Sequence, residues 1–320
     1  MPTILGWCSG RVEGMVKALW AEFQGRPYLV RGLQILLIGL IFVFLFRNLY
    51  LNWSELSTYQ WSLNYLALAG SLFLLLADAF LYAYLWRQIL LQFGGSLGYR
   101  EVVRIVLLSQ LGRYLPGKAW NLAGVIYLGS KEGIPKVISG ASLGLQLLWQ
   151  ILSGLIVFLL TLPFWGHSQP LAGLYPSLLL LPLGVILLHP AFIRRGFGFA
   201  LRAMGEEPRS LDWRYRDTLG QLFLWVLFWV INGIAYYLLI NSLTPSPLSQ
   251  LPMVVGAFTI AWVVGFLALF APAGLGVVEG TLTFLLGFHF SFPVATVVAL
   301  FARLMRTIAE LICALIAWRL

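Results

Sequence analysis

The sequence predicts an all-α polytopic membrane protein, and three observations carry that prediction: its composition, its recurrent apolar runs, and two runs broken by proline and glycine. Of 320 residues, 60% are hydrophobic and only 10% charged, with a mean hydropathy of +0.87; soluble domains carry roughly a quarter charged residues. Crossing a hydrocarbon core of about 30 Å takes roughly 20 helical residues, and runs of that order recur along the chain without a polar block large enough to form a separate globule. A soluble fold is excluded, and the chain reads as one membrane domain.

Residues 1–29 lack a continuous apolar core, so they do not read as a cleavable signal peptide. Val12, Met15, Val16, Leu19, Trp20 and Phe23 instead follow helical spacing, with Arg11, Glu13, Lys17 and Glu22 between them. That pattern fits a helix lying in the headgroup plane, or equally one packed on the rest of the protein. The first membrane repeat occupies 30–163, with spans at about 30–46, 65–86 and 137–163. The second occupies 164–320, with spans at about 174–192, 220–240 and 293–318.

Each repeat also holds an interrupted segment, 102–130 with Leu115-Pro116-Gly117-Lys118 and 251–289 with Ala271-Pro272-Ala273-Gly274-Leu275-Gly276. Proline removes a backbone donor and clashes with the preceding turn, and glycine opens dihedrals closed to other residues, so both centres should leave the helix. Non-helical backbone at membrane depth is tolerated when buried in protein or lining a polar cavity. Ile105 to Leu115 makes only about 15 Å of helix, half a bilayer, so a re-entrant hairpin is expected there.

The net charge of +9 does not indicate a nucleic-acid partner, because Lys and Arg sit in short loops between apolar runs. The loops at 164–172 and 242–250 hold neither, whereas the stretches with Arg87, Arg100 and Arg104, with Lys131 and Lys136, and with Arg194 to Arg216 are basic. The positive-inside rule then places both termini in the cytoplasm of a multi-pass inner or plasma membrane protein. Pro116 to Pro272 and residue 137 to residue 293 are both 156 apart. Three crossings per repeat is odd, so the repeats should be inverted, the arrangement in which paired Gly/Pro-broken segments mark a transporter's substrate site.

Charges within the bilayer are costly and mark function or pairing. Arg113 and Lys118 flank the first break, Glu279 follows the second, and Arg303, Arg306 and Glu310 share one face of the last span at spacings of three and four. One reading makes Arg113, Lys118, Arg303 and Arg306 a basic pocket for a phosphate headgroup, aided by hairpin N–H groups. The other makes them structural pairs, Glu279 with Arg303 or Arg306 and Asp78 with Arg113. Gln146 and Gln150, one turn apart in the first repeat, should face the Arg303 helix. Asp78, Gln146, Gln150 and Glu310 are therefore candidates for coupling or structural pairing.

No enzyme signature is found: His167, His189 and His289 are isolated, and there is no His-Glu-x-x-His helix or Gly-x-Ser-x-Gly elbow. Neither cofactor nor metal is expected. Cys8 and Cys313 have no metal or disulfide spacing. Trp53, Tyr59, Trp61, Trp165, Trp213 and Trp318 lie near span ends, as in an interfacial aromatic belt.

The segments Gly112-Arg113-Tyr114-Leu115-Pro116-Gly117-Lys118 and Pro272-Ala273-Gly274-Leu275-Gly276-Val277-Val278-Glu279-Gly280, followed by the Arg303 helix, resemble the lysylphosphatidylglycerol synthase transmembrane region, a flippase-like family. The resemblance implies lipid translocation and points to Pro116, Gly117, Pro272, Gly274, Gly276, Glu279 and Arg303. No aminoacyl-transferase domain follows the last span, so lipid aminoacylation is not expected of this polypeptide alone. The expected substrate is a phospholipid, an aminoacylated phospholipid or a polyprenyl-phosphate-linked lipid, and the expected partners are the bilayer and a lipid-modifying enzyme or glycosyltransferase. The alternatives are a non-transporting subunit of such an enzyme and an intramembrane polyprenyl pyrophosphate phosphatase. The latter needs a Pro-Gly-x-Ser-Arg-Ser motif that Pro116-Gly117-Lys118-Ala119-Trp120 does not supply.

Overall fold

The computed structural model describes residues 27–114, 119–165, 189–203, 213–268 and 271–320. Among these residues the chain is helical, with no strand. The elements are α1 (Pro27–Leu51), α2 (Trp53–Thr58), α3 (Tyr65–Gln92), α4 (Tyr99–Gln110), a 3₁₀ turn at Leu111–Tyr114, α5 (Ala119–Lys131) and α6 (Lys136–Thr161). They continue with α7 (Pro190–Ala203), α8 (Tyr215–Leu243), α9 (Leu251–Leu267), a 3₁₀ turn at Pro272–Gly274, α10 (Val277–Leu286) and α11 (Phe292–Trp318). The expected amphipathic helix before Pro27, the Pro116-Gly117-Lys118 break and most of the 174–192 span lie outside the described residues.

The long helices start where local chemistry satisfies their free N–H groups. The Asn64 side chain accepts from Leu66 N and Ala67 N at the head of α3. Asp217 Oδ2 accepts from Arg214 N at 2.8 Å, which lets α8 begin before the apolar run does. Such capping replaces the hydrogen bonds that a first turn lacks. Proline stands at Pro135 just before α6 and at Pro293 in the first turn of α11, where a missing N–H costs nothing.

Among the described residues, four segments are long and apolar enough to cross a membrane: Tyr65–Gln92, Lys136–Phe164, Tyr215–Leu243 and Leu248–Leu267. The last is the first arm of the second interrupted segment, so the two arms are unequal, 12 residues in α4 and 17 in α9. Its run from Leu251 to Leu267 contains no charged residue to shorten it. α11, at 27 residues, has the length to cross but carries Arg303, Arg306 and Glu310.

Element order and packing both repeat. The series α3, α4, 3₁₀ turn, α5, α6 is matched by α8, α9, 3₁₀ turn, α10, α11. Packing within one series, α3 on α4, α4 on α5 and α5 on α6, recurs as α8 on α9, α9 on α10 and α10 on α11. Between the series the contacts are reciprocal: α6 packs on α9 as α11 packs on α4, and α6 on α8 as α11 on α3. The α3–α8 interface and the contact between the two 3₁₀ turns join counterparts directly.

The core divides into two apolar clusters. One gathers Trp86, Trp149, Trp213, Trp225 and Trp229, and the other is built from α8, α9, α10 and α11 around Ala257, Leu286 and Ala299. Trp165 and Trp213 are almost completely buried in protein, which removes them from the expected interfacial belt, whereas Trp53 and Trp318 are exposed. Their ring N–H groups are satisfied inside the protein, Trp165 donating to Thr161 Oγ1 and Trp213 to Thr218 Oγ1.

Close helix approach depends on Gly233, where a Cβ atom would stand 2.7 Å from Val255 Cα. Gly233→Ala is expected to force α8 from α9 and to destabilise by about 1–3 kcal/mol, the usual cost of overpacking. Gly144→Ala, with nothing within 4 Å, is the control. Thermal melting of the purified protein in detergent should show a lower Tm for the first substitution alone.

Candidate functional site

The two 3₁₀ turns meet beside α11, and a cavity of about 80 Å³ lies there. Its lining combines ionic side chains, Arg113, Glu279, Arg303, Arg306 and Glu310, with aromatic rings drawn from α8 and α9.

The second break shapes the ionic part of the lining. Ala273, Gly274 and Gly276 all have positive φ, of 50°, 67° and 80°. Glycine adopts this region freely, but an alanine there is strained, at a cost of order 1–3 kcal/mol. The turn aims the Ala273 carbonyl at α11, where it accepts from Arg303 Nη1 at 3.0 Å. Leaving the turn, the Gly276 N–H donates to Glu279 Oε2 at 2.7 Å, so Glu279 caps the start of its own helix. That N–H is therefore already taken by a carboxylate, which corrects the expectation that it stands open for a phosphate.

On α11 the spacing of 303, 306 and 310 does what it predicts. Arg306 donates from Nε to Glu310 Oε1 at 2.9 Å and from Nη1 to Asp78 Oδ2 on α3 at 3.0 Å. The same Asp78 oxygen accepts from Asn232 Nδ2 of α8 at 3.1 Å. Arg113, on the first 3₁₀ turn, donates from Nη1 to Glu310 Oε1 at 2.7 Å, and the Tyr114 hydroxyl donates to Glu310 Oε2 at 2.7 Å. Arg303 Nε stands 3.6 Å from Glu279 Oε1, a charge contact too long for a hydrogen bond.

Two expectations change. Asp78 pairs with Arg306 and not with Arg113, because α3 packs on α11 while Arg113 faces Glu310 from the adjoining turn. The pocket is also not basic among the described residues: Arg113, Arg303 and Arg306 are matched by Asp78, Glu279 and Glu310. An unpaired charge in an interior of low dielectric is the costly alternative. Gln146 and Gln150 are buried but do not line the cavity; Gln146 Nε2 donates to the Tyr82 carbonyl at 3.3 Å. Their helix, α6, packs on α8 and α9 instead. Pro116, Gly117 and Lys118 lie outside the described residues.

The family model described as the lysylphosphatidylglycerol synthase TM region matches residues 32–314. The chain belongs to this family. Comparison with curated proteins gave no match. Within this lysylphosphatidylglycerol synthase TM region, the motif from Pro272 to Glu279 and the later Arg303 converge on one corner of the cavity. Gly274 and Gly276 make the turn there, while Glu279 and Arg303 line the space.

Sequence reasoning passed over Tyr114, Asn232 and the aromatic rings of Phe228, Trp229, Tyr236, Phe258 and Trp262. Asn232 had a signal, a lone amide deep in the apolar run of α8. The rings had none, because an aromatic in a span serves lipid, core or cavity alike.

The Asp78–Arg306–Glu310 network yields a stability prediction. Arg306→Gln leaves two buried carboxylates without their shared partner and should cost about 3–5 kcal/mol, whereas adding Asp78→Asn to it should restore part of that loss. Denaturant titrations of the two single variants and the double variant measure the coupling.

Proposed function

We propose that this protein moves a phosphate-bearing lipid between the leaflets of the inner or plasma membrane by a translocation without a covalent step. The observation that carries the reading is a cavity at the meeting of the two 3₁₀ turns, lined by arginines held in ion pairs. Membership of a lipid-related membrane family and the spanning helices support it. The reciprocal packing of the two series is what an inverted repeat would produce, with cytoplasmic termini and two re-entrant segments.

In this reading the headgroup phosphate takes Arg303, whose Nη2 is buried and has no hydrogen-bond partner, and competes with Glu279 for the guanidinium. Arg113 and Arg306 hold the neighbouring charge, and Tyr114 stands at the rim, where it is about a third exposed. The acyl chains remain in lipid along Leu304, Ile308, Leu311 and Leu315, the exposed stripe of α11. A cavity of about 80 Å³ is well below the roughly 300 Å³ at which small-molecule pockets begin, so passage requires the elements around it to part. The phospholipid itself is the ligand, and a lipid-modifying enzyme or glycosyltransferase is the protein partner that would supply or use it.

The test is reconstitution into vesicles carrying acyl-labelled phospholipids, with dithionite quenching to follow exchange between leaflets. Arg303→Ala removes a charge-assisted hydrogen bond of about 1.5–3 kcal/mol and should slow exchange by roughly ten- to a hundredfold. Wild-type exchange no faster than in protein-free vesicles, across the headgroups tried, would sink the reading.

A further inference from the structure

The cavity is also lined by rings of a kind that suits a cation. Phe228, Trp229 and Tyr236 of α8 and Phe258 and Trp262 of α9 line it, and they are fixed against one another. Tyr236 and Phe258 stack with ring centroids 3.9 Å apart and planes 10° apart, while Trp229 meets Trp262 edge-on at 5.4 Å. Aromatic faces carry negative electrostatic potential and attract ammonium groups, most strongly where water is excluded.

Two polar atoms on the cavity lining have no hydrogen-bond partner. Glu279 Oε1 is an acceptor on a wholly buried side chain, and Arg303 Nη2 is a donor. They belong to neighbouring groups, with Arg303 Nε 3.6 Å from that same Glu279 oxygen. Unsatisfied buried polar atoms are rare and costly, so a site that keeps one donor and one acceptor open asks for a ligand offering one of each.

Charge points the same way. Among the described residues the ion pairs around the cavity are balanced, Arg113, Arg303 and Arg306 against Asp78, Glu279 and Glu310. A headgroup of net charge minus one would bring an unmatched charge into a low-dielectric space. A headgroup that is only cationic would leave Arg303 Nη2 unmatched. Neither penalty falls on a headgroup that carries both charges.

Resting on the translocation reading above, we infer that the cavity selects zwitterionic phospholipid headgroups, binding the phosphate at Arg303 and the ammonium between Glu279 and the aromatic rings. Glu279 thereby acts as the cation acceptor of the site, and Trp229 and Trp262 act as its specificity-determining rings.

The experiment compares vesicles containing four acyl-labelled lipids that differ only in headgroup: ethanolamine, choline, glycerol and bare phosphate. The ethanolamine lipid, whose ammonium can donate to Glu279 Oε1, should exchange at least about tenfold faster than the glycerol and phosphate lipids and faster than the choline lipid, whose ammonium has no N–H. Equal or faster exchange of the glycerol lipid overturns the inference and leaves the translocation reading standing; no exchange of any lipid above the protein-free rate removes both. Trp262→Leu, which keeps an apolar side chain in place, should reduce the ratio of ethanolamine to glycerol exchange about fivefold. An unchanged ratio in that variant overturns the aromatic assignment, and Glu279→Gln, whose amide oxygen can still accept from the Gly276 N–H, should lower the same ratio; an unchanged ratio there overturns the role of Glu279 as cation acceptor.

Discussion

Arg306 cannot be left alone where it sits. It stands in the middle of α11, with Asp78 of α3 on one side and Glu310 one turn along its own helix, and a guanidinium so placed is tolerated only while its partners hold position. Those partners are tied in turn, Asp78 to Asn232 of α8 and Glu310 to Arg113 and Tyr114 of the first 3₁₀ turn. Three elements distant in sequence from α11 are thereby referenced to one side chain. The apolar clusters supply the bulk of the packing, but apolar contact between helices in lipid has little directional preference. The ion network fixes which face of α11 looks inward.

The second break serves the same constraint from the other side. Ala273 accepts a conformation that favours glycine, and the return for that strain is a carbonyl placed on Arg303 and a Gly276 N–H placed on Glu279. A helix continued through Pro272 would have kept both backbone groups in its own ladder. The interrupted segment is thus the source of the polar atoms that satisfy the charges, which explains why non-helical backbone and buried arginines occur together here.

Much of this was legible in the sequence because it depends on spacing along one chain. The two breaks, the shared face of Arg303, Arg306 and Glu310, and the long apolar helices follow from helical geometry and from what proline and glycine do to it. Partnerships between elements were not legible in the same way: periodicity can say that Asp78 needs a cation but not that α3 packs on α11, so Arg113 was paired with the wrong carboxylate. The same gap gave Gln146 a place near the Arg303 helix that its own helix, packed on α8 and α9, does not allow. Tyr114 was hidden because a tyrosine next to a Pro-Gly break reads as loop, and the rings of α8 and α9 because aromatics in a span carry no label for what they face.

The reciprocal packing has a mechanical meaning. The last helix of each series rests not only beside its own hairpin but on the first arm of the other, α11 on α4 and α6 on α9, and the Arg113–Glu310 and Asp78–Arg306 pairs tie α11 further to the first 3₁₀ turn and to α3. The boundary between the two series along the chain and the boundary between the packed groups of helices are therefore different lines. Each series has, in effect, lent its final helix to the other, and any large displacement must either carry α11 along with α3 and α4 or unfasten it from them.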